Sequence, residues 1–232
     1  MKLSILIPCF NEERTIKVLL EKVIENLNQN DEIIIIDDFS TDKTRNILRN
    51  QFENSVYKII YNEKNYGKGF SIRQGIKAAT GEIILIQDAD LEYDPNDYQF
   101  LLDKIKDGGS EVVYGSRVLN KKRYKNNFIS NYRILGNHLL TMFSNLINKQ
   151  KLTDAHSCYK LFSADLFKNI KLEHNDFSFC PEITTKISNL KKNIIEVPIS
   201  YRGRSIEEGK KIRLKDAFYA IYTLIKFKYF VK

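Results

Sequence analysis

Two uninterrupted aliphatic runs constrain the fold of this chain more than any other feature of its sequence. They are Ile33-Ile34-Ile35-Ile36 and Ile83-Ile84-Leu85-Ile86, and neither alternates with polar residues. Continuous apolar runs of this length are typical of strands buried on both faces, as in a parallel sheet that is covered by helices on either side. The sequence therefore predicts an α/β fold around a mostly parallel central sheet.

Further strand and helix patterns alternate around these two runs. The predicted strands are residues 3–8, 32–37, 57–61, 82–87, 111–114 and 194–201, and the predicted helices are 13–28, 41–51, 69–79, 96–106, 128–148, 181–190 and 217–232. Ser40 and Asp42 suit the start of the second helix, and Pro95 suits the first turn of the fourth. Strand–helix–strand repetition predicts an α/β sandwich with right-handed crossovers.

The positive charge of the chain is concentrated in one segment. There is no Asp or Glu between Val112 and Thr153, whereas eight Lys and Arg residues lie there, a number equal to the net charge of +8 for the whole chain. Such a segment predicts an anionic partner, which could be phosphate groups, an anionic membrane surface or nucleic acid. A solvated basic loop is the plainer alternative.

Composition narrows the class of protein. The 232 residues, 43% hydrophobic and 28% charged, suffice for one well-buried domain. The first eight residues resemble a strand rather than a signal peptide, and the uncharged stretch 134–148 is too short and too polar to span a bilayer. Three cysteines without C-x-x-C spacing favour reduced thiols in the cytoplasm over a disulfide framework or a metal site.

Acidic residues follow three of the predicted strands at the point where each strand ends. They are Glu12 and Glu13 after the first strand, Asp37, Asp38 and Asp42 after the second, and Asp88, Asp90 and Glu92 after the fourth. Ligands of open α/β sheets bind beyond the carboxyl ends of the strands. Carboxylates that meet at one edge repel each other unless a cation lies between them, and Mg²⁺ and Mn²⁺ prefer oxygen ligands. The Asp88-Ala89-Asp90 pattern is weak evidence alone, but the three strand ends together predict a metal–phosphate site.

A glycine-containing loop follows the third strand. In Asn65-Tyr66-Gly67-Lys68-Gly69 the glycines permit close backbone approach, and Lys68 could contact phosphate. The loop lacks the G-x-x-x-x-G-K-[ST] pattern of a P-loop. An ordinary strand-to-helix turn is the alternative interpretation.

These motifs, in this order, resemble the family 2 inverting glycosyltransferases. The resemblance rests on Ile7 to Glu12, Asp37 to Asp42, Asn65 to Gly69, Asp88 to Leu91 and Gly115-Ser116-Arg117. Within the family the chain is similar to the dolichol-phosphate mannosyltransferase-like branch. The segments from Thr153 to Phe162 and from Pro198 to Ile212 resemble a bacterial group in that branch.

The resemblance implies a GT-A (Rossmann-like nucleotide-diphospho-sugar transferase) sandwich as a single domain over residues 1–212. Residues 1–117 would form the nucleotide-sugar half and 118–212 the acceptor half, followed by a C-terminal amphipathic helix over 213–232. It further implies a hexosyltransferase that moves a sugar from a UDP- or GDP-linked donor to a polyprenyl (dolichyl or undecaprenyl) phosphate. Neither the sugar nor the nucleobase can be named from the sequence, although the resemblance favours UDP modestly.

The resemblance also implies a set of site residues. The donor would contact Pro8, Phe10, Glu12, Ile36, Asp38, Lys68, Asp88, Ala89, Asp90, Arg204 and Lys211. Mg²⁺ or Mn²⁺ would bind Asp90 together with Asp88 and Glu92. The acceptor would contact Arg117, Arg133, Asn137, Asp154 and Glu182. Asp90, Arg117, Arg133 and Arg204 would carry the catalysis.

The implied acceptor explains why the sequence shows no evident catalytic base. A phosphate monoester is already anionic near neutral pH, because its second pKa is about 6. It can attack the sugar carbon without losing a proton to the protein, so positioning and stabilisation of the leaving diphosphate would suffice. The chain departs from the family pattern at His156 and Cys180, where relatives often carry an acidic residue.

Two other functions remain open at this point. A glycosyltransferase that acts on a hydroxyl of a cell-surface glycan would need a base, which Asp154 or Glu182 would have to supply. A non-catalytic nucleotide-binding subunit of a glycan assembly complex is the second. A nucleic-acid partner is not expected, because no binding motif accompanies the basic segment. The expected location is cytoplasmic and peripheral on the inner face of the cell membrane, with room for a membrane-protein partner or a homo-oligomer.

Overall fold

A computed structural model describes residues 1–56, 58–119, 131–204 and 214–231, with side chains from residue 135 in the third segment and from residue 216 in the last. Within these ranges the strands are β1 Leu3–Cys9, β2 Glu32–Asp37, β3 Lys58–Tyr61, β4 Ile83–Ile86, β5 Val112–Ser116, β6 Lys160–Ser163 and β7 Ile195–Pro198. The helices are α1 Ile16–Glu25, α2 Thr44–Ile47, α3 Lys68–Ala78, α4 Tyr98–Lys106, α5 Asn131–Asn148, α6 Ala164–Asn169, α7 Phe179–Asn189 and α8 Leu214–Ile225.

All seven strands lie in one sheet, in the order β3-β2-β1-β4-β6-β5-β7. Every pairing is parallel except the two made by β6, which runs antiparallel to both β4 and β5. The predicted mostly parallel sheet is therefore confirmed. The chain moves outward from β1 through β2 to β3 and then returns to place β4 on the other side of β1. This reversal creates the crevice in which α/β proteins bind ligands.

The two aliphatic runs are buried on both faces, as predicted. Ile33 and Ile35 pack into a cluster with residues of α1, the turn after α2, and α4, whereas Ile34 and Ile36 pack into a second cluster with α3, α6 and α7. Successive side chains of a strand point to opposite faces, so an unbroken apolar run serves both layers. The architecture is thus helix, sheet and helix.

Strand β6 and helix α6 were not predicted from the sequence. The strand is only four residues long and begins with Lys160, a residue type that is rarely buried. Here its ammonium group is fully buried, donates hydrogen bonds to the carbonyls of Ala155 (3.1 Å) and Ser157 (2.6 Å), and lies 3.7 Å from the centre of the Tyr114 ring. These contacts compensate the charge locally.

Element boundaries differ from the predictions by a few residues. Ser40 Oγ accepts a hydrogen bond from the amide of Asn11 instead of capping α2, whereas Asp42 accepts one from the amide of Thr44, the first residue of α2. Pro95 opens a 3₁₀ turn before α4, as its predicted first-turn position requires. Tyr57, predicted to begin β3, lies outside the described residues. Among the described helices, none combines the length and hydropathy needed to cross a bilayer.

Two glycines allow α3 to begin against a neighbouring loop. A Cβ on Gly69 would lie 2.3 Å from the carbonyl oxygen of His174, and one on Gly67, whose φ is 99°, would lie 2.4 Å from that of Asn175. Both contacts are to backbone, which cannot move aside as a flexible side chain can. Because Gly67 and Gly69 have no side chains, the loop that carries Lys68 can pack directly against the backbone of residues 174 and 175.

Gly69→Ala should lower the free energy of unfolding by at least about 2 kcal/mol, because the added methyl group collides with backbone. The matched control is Gly136→Ala in α5, where a Cβ would meet no atom within 4 Å. This change should leave stability unchanged or raise it by about 0.5 to 1 kcal/mol. Urea unfolding of both variants measures the difference. Equal stabilities for the two variants would contradict the close packing at Gly69.

Candidate active site

One cavity of about 200 Å³ opens at the carboxyl ends of β1, β2 and β4. Its lining includes eleven of the residues predicted for the donor, metal and acceptor sites, namely Pro8, Phe10, Glu12, Asp38, Lys68, Asp88, Ala89, Asp90, Glu92, Arg117 and Arg204. The position agrees with the rule that ligands of α/β sheets bind where the strand order reverses. The cavity therefore joins residues predicted for donor and acceptor in one space.

Each of the three strand ends turns at a non-glycine residue with positive φ. The φ angles are 52° at Asn11, 66° at Phe39 and 38° at Leu91. Asn adopts this conformation readily, but Phe and Leu do so rarely. Such outliers persist where the surrounding structure enforces them and cluster at functional sites. Here they direct the side chains that follow β1, β2 and β4 towards the cavity.

The end of β4 is held in place by two tyrosines. The buried Gln87 accepts hydrogen bonds at Oε1 from the hydroxyls of Tyr98 (2.7 Å) and Tyr159 (2.6 Å), and its own amide donates to the carbonyl of Asp88. Tyr159 in turn stacks on Tyr93, which lines the cavity. This network fixes the backbone from which Asp88 and Asp90 project.

Asp88 and Asp90 meet different cations, because the chain bends between them. Asp88 pairs with Lys68, whose ammonium group also lies 3.2 Å from the sulfur of Cys158. Asp90 pairs with Arg204 at 2.8 Å. Burial would raise the pKa of Asp88, but Lys68 lowers it overall. Lys68, predicted to touch phosphate, is thus held by a carboxylate at the wall of the cavity.

Arg204 lies at the junction of three carboxylates. Its guanidinium group is 2.9 Å from Glu12, 2.8 Å from Asp90 and 4.0 Å from Glu92. Two contacts hold the segment that carries Arg204 beside these carboxylates. The amide of Arg204 donates a hydrogen bond to Glu92 (2.7 Å), and Tyr201 forms an antiparallel β-bridge with Tyr93. Arg204 therefore supplies the cationic partner that these converging carboxylates require.

Asp90 is buried at the point where these carboxylates meet. Burial raises the pKa of Asp90 to about 7, and the carboxylates of Glu92 and Asp88 add to the rise, while Arg204 opposes it. Burial is the largest of these effects, because a carboxyl group away from water favours its neutral form, and nearby like charges act in the same direction. A carboxyl group in this position is a candidate ligand for a cation.

The residues present fit Mg²⁺ or Mn²⁺ when substrate phosphates complete the coordination. Among the described residues no group of three or more His, Cys, Asp or Glu side chains surrounds a single point. Mg²⁺ is commonly held by one or two carboxylates together with phosphates rather than by an all-protein cage. Each predicted metal ligand already has a protein partner: Asp88 pairs with Lys68, Asp90 pairs with Arg204, and Glu92 accepts hydrogen bonds from Tyr201 and the amide of Arg204.

Asp38 organises the loop after β3. Its carboxylate accepts hydrogen bonds from Asn62 Nδ2 (2.8 Å) and from the amides of Tyr66 (2.9 Å) and Gly67 (2.7 Å). These contacts hold the start of α3 against the end of β2. Asp38 still lines the cavity beside Pro8 and Phe10, so three of the residues predicted to contact the donor lie together.

The other end of the cavity is built around a buried ion pair. Arg117 donates to both carboxylate oxygens of Asp154, with Nε at 2.6 Å and Nη2 at 2.7 Å, and Nη2 also donates to Asn137 at 3.2 Å. Burial would raise the pKa of Asp154, but Arg117 and Asn137 lower it to about 2. Asp154 is therefore a permanent anion that orients Arg117, and a carboxylate with this pKa is a poor proton acceptor near neutral pH.

His156 and Cys158 line the cavity, and Cys180 is hydrogen-bonded to Cys158. Burial lowers the pKa of His156 to about 4, so the ring is neutral near pH 7, and its Nε2 is buried without a hydrogen-bond partner. Cys158 lines the cavity, and a hydrogen bond with it lowers the pKa of Cys180 to about 6 against the effect of burial. All three cysteines of the chain are free thiols.

Two predicted contacts are not supported by the structure. Ile36, predicted to face the donor, is fully buried in the cluster under α3, because its side chain points to the opposite face of the sheet from those of Ile33 and Ile35. Glu182 is not among the residues that line the cavity. Its carboxylate instead accepts hydrogen bonds from the amides of Glu173 and His174 and pairs with Lys186.

Two further predicted residues cannot be placed. The side chain of Arg133 and the whole of Lys211 lie outside the described residues, although the backbone of Arg133 belongs to α5. Conversely, several lining residues were not predicted as ligands, namely Cys9, Asn65, Gly67, Ser71, Tyr93, His156, Cys158, Phe177 and Tyr201. The tyrosines carry no sequence signal, because aromatic residues are common in any core.

Asp154→Asn should lower the free energy of unfolding at pH 7 by at least about 2 kcal/mol, because the buried Arg117 loses its counter-ion. Since the pKa of Asp154 falls from 3.8 to about 2 on folding, its contribution is fully present above pH 3.8 and is lost as the pH falls towards 2. Urea unfolding over this pH range measures the difference between variant and wild type. A difference that stays constant down to the lowest pH would contradict the assignment.

The matched control is Glu111→Gln, which breaks the exposed ion pair with Lys192. Exposed pairs contribute little, so this change should alter stability by less than about 1 kcal/mol at any pH.

Comparison with known proteins identifies the family of this chain. The profile described as Glycosyl transferase family 2 matches residues 4–171. A dolichyl-phosphate beta-glucosyltransferase of Trichomonas vaginalis is 26% identical, covering 99% of this chain and 73% of that protein. A UDP-N-acetylglucosamine–dolichyl-phosphate N-acetylglucosaminyltransferase of Methanococcus voltae is 30% identical, covering 97% of this chain and 95% of that protein.

Solved structures show the fold. Glucosyl-3-phosphoglycerate synthase of Mycobacterium tuberculosis, in complex with Mn²⁺ and UDP-glucose, superposes with a TM-score of 0.74. The match has 16% identity and covers 98% of this chain and 79% of that one. The predicted GT-A fold is therefore confirmed. The relatives are dolichyl-phosphate and other polyprenyl-phosphate sugar transferases, and the chain belongs to glycosyl transferase family 2.

Proposed function

We propose that this protein is an inverting hexosyltransferase that moves a sugar from a nucleoside-diphosphate donor to a polyprenyl phosphate. The observation that carries the proposal is the single cavity that joins the carboxylates and Arg204 at one end to the Arg117–Asp154 pair at the other. The relatives named dolichyl-phosphate and undecaprenyl-phosphate sugar transferases support the same acceptor class.

The donor end suits a nucleoside diphosphate. Pro8, Phe10 and Asp38 offer one apolar and one polar wall for the nucleoside, and Arg204 lies beside Asp90, where a diphosphate would meet its cation. A divalent cation, when bound to Asp90 with Asp88 or Glu92, supplies positive charge that stabilises the departing diphosphate. Lys211 is proposed to join Arg204 at this diphosphate, on the resemblance alone.

The acceptor end suits a phosphate monoester. Arg117 is preorganised by Asp154 and Asn137, so its guanidinium does not have to be ordered when an anion arrives. An oxygen of the acceptor phosphate forms the new bond to the anomeric carbon while the bond from that carbon to the diphosphate breaks. The nucleoside diphosphate leaves with the electron pair. One in-line displacement of this kind inverts the anomeric configuration.

The two carboxylates considered as bases for a hydroxyl acceptor, Asp154 and Glu182, are unsuited to that role, which favours a phosphate acceptor. Asp154 was the first candidate base, but it is fully buried, paired with Arg117 and has a pKa of about 2. Glu182, the second candidate, is engaged with the amides of residues 173 and 174. A phosphate monoester requires no such group, since its second pKa is about 6.

The proposed arrangement keeps residues 1–117 as the donor half, 118–212 as the acceptor half and 213–232 as a C-terminal amphipathic helix. The proposed location is the inner face of the cell membrane, with peripheral attachment. The nucleobase, the sugar, the choice between Mg²⁺ and Mn²⁺, and any membrane-protein partner or homo-oligomer are left for experiment.

The direct test offers the purified protein labelled UDP- and GDP-sugars, Mn²⁺ or Mg²⁺, and a short polyprenyl phosphate. Label should move into the lipid fraction with at least one donor, and chelation of the metal should reduce the rate. Label that moves only to water or only to a glycan hydroxyl would contradict the proposed acceptor.

Arg117→Lys and Arg133→Lys should each lower the rate of transfer to lipid phosphate by about 10- to 100-fold, because lysine has fewer N–H donors and does not hold them in the fixed plane of a guanidinium. Binding of UDP or GDP, measured by calorimetry, should stay within about twofold, a change of less than 0.5 kcal/mol. Collapse of nucleotide binding in these variants would show that the basic segment serves the donor instead.

The matched control is Arg49→Lys, because Arg49 stacks on Tyr61 and does not line the cavity. This variant should transfer sugar at the wild-type rate. Arg204→Lys should show the opposite pattern to Arg117→Lys, with weakened nucleotide binding and a slower rate at all acceptor concentrations.

A further inference from the structure

The side chain of Tyr201 contacts both ends of the cavity. At the donor end, its hydroxyl donates a hydrogen bond to the carboxylate of Glu92 (2.9 Å). At the acceptor end, the guanidinium carbon of Arg117 lies over the face of the same ring, 5.1 Å from its centre. A guanidinium at this distance from an aromatic face is attracted to it. One side chain therefore joins a donor-end carboxylate to the acceptor-end cation.

Tyr201 is itself held in place by its neighbours. It is 4% exposed, forms an antiparallel β-bridge with Tyr93, and packs its ring against that of Tyr93 with the centroids 5.2 Å apart. The amide of Arg202 donates to the carbonyl of Glu92 (2.9 Å), and the amide of Arg204 donates to the Glu92 carboxylate (2.7 Å). The ring is thus locked by packing and by backbone contacts on either side of it, as a positioning group must be.

The sheet does not join the two ends of the cavity directly. Glu92 follows β4 and Arg117 follows β5, and β6 lies between these two strands. Strands two places apart in a sheet are separated by about 10 Å. The chain after β7, which pairs with β5, crosses back to residue 93 after β4. Tyr201 lies on this crossing segment and spans the gap above β6.

The other partners of Arg117 hold it within the acceptor end. Asp154 and Asn137 form hydrogen bonds with its guanidinium, and neither is among the residues that line the cavity. They orient the guanidinium, whereas Tyr201 relates its position to Glu92. An in-line displacement needs the attacking oxygen, the anomeric carbon and the leaving oxygen in one line, so this spacing affects the rate.

We propose that Tyr201 is a positioning residue that aligns the acceptor phosphate with the donor diphosphate. Its hydroxyl holds the donor end through Glu92 and its ring holds Arg117, so the two reactants meet at a fixed separation. The inference rests on the proposed function, which assigns Arg117 to the acceptor. Misplacement by about 1 Å in such an arrangement lowers a rate by about 100-fold.

Tyr201→Phe removes the hydrogen bond to Glu92 and keeps the ring beside Arg117. This variant should lower kcat for transfer to a short-chain, water-soluble prenyl phosphate by about 10- to 100-fold. The KM for the prenyl phosphate should stay within about threefold, and so should the affinity for UDP or GDP with Mg²⁺, measured by calorimetry. The reason is that neither Arg117 nor Arg204 loses a counter-ion.

The matched control is Tyr114→Phe. Tyr114 is also a buried tyrosine, and its hydroxyl shares a hydrogen bond with Thr184 Oγ1 (3.1 Å), but it is not among the residues that line the cavity. The control should lose a similar amount of thermal stability and keep the wild-type kcat and KM. A change that only loosens the packing would affect both variants alike.

Two further variants test the contact between Tyr201 and Arg117. Tyr201→Leu removes the ring as well as the hydroxyl, so the KM for the prenyl phosphate should rise at least about threefold above that of Tyr201→Phe. In the double variant Tyr201→Phe with Arg117→Lys, the loss of kcat should be smaller than the product of the two single losses, because both changes disturb the same alignment.

An unchanged kcat in Tyr201→Phe would overturn the inference while transfer by the wild type still supports the proposed function. An equal fall in Tyr114→Phe, or losses that multiply in the double variant, would also overturn it. So would weaker nucleotide binding with an unchanged kcat, because Tyr201 would then serve the donor alone. Wild-type protein that transfers no sugar to the prenyl phosphate would contradict the proposed function and this role of Tyr201 with it.

Discussion

The arrangement of the cavity depends on ion pairs between Arg204 and the carboxylates that meet at one edge of the sheet. Glu12 after β1 and Asp90 and Glu92 after β4 converge because parallel strands end at the same edge, and Arg204 reaches them from the segment after β7. Arg204 pairs with these carboxylates, and the pKa of Asp90 is raised to about 7, first by burial and then by the neighbouring carboxylates. Under the proposed function, this edge would hold the divalent cation and the diphosphate of the donor.

A second ion pair organises the opposite end of the cavity in a different way. Asp154 holds Arg117 through two hydrogen bonds and is itself too acidic to act as a base near neutral pH. The pair holds the guanidinium of Arg117 in position but offers no group that accepts a proton. It therefore suits an acceptor that is already an anion when it binds. Helix α5 contributes to this arrangement, because its residue Asn137 accepts a hydrogen bond from Arg117, while three leucine side chains of the same helix are exposed.

The sequence predicted the parts of this structure that depend on local pattern. The aliphatic runs identify β2 and β4 because both faces of these strands are buried, and the acidic strand ends mark the site because sheet topology brings them together. It did not predict β6, because a strand that starts with the buried Lys160 is stabilised only by carbonyls and by the Tyr114 ring, which come from elsewhere in the chain. The sequence pattern also did not give the directions of two side chains. Ile36 points away from the cavity because of its position in the strand, and Glu182 is held by hydrogen bonds from the amides of residues 173 and 174.

The central claim is that the acceptor is a phosphate monoester whose oxygen attacks the sugar directly. Phosphorus NMR of the reaction tests this most directly, because transfer converts the monoester of the prenyl phosphate into a diester joined to the anomeric carbon. The account predicts that the monoester signal declines and a glycosyl phosphodiester signal grows at the rate at which nucleoside diphosphate is released. An unchanged monoester signal, with the sugar attached to a hydroxyl or released into water, would contradict it.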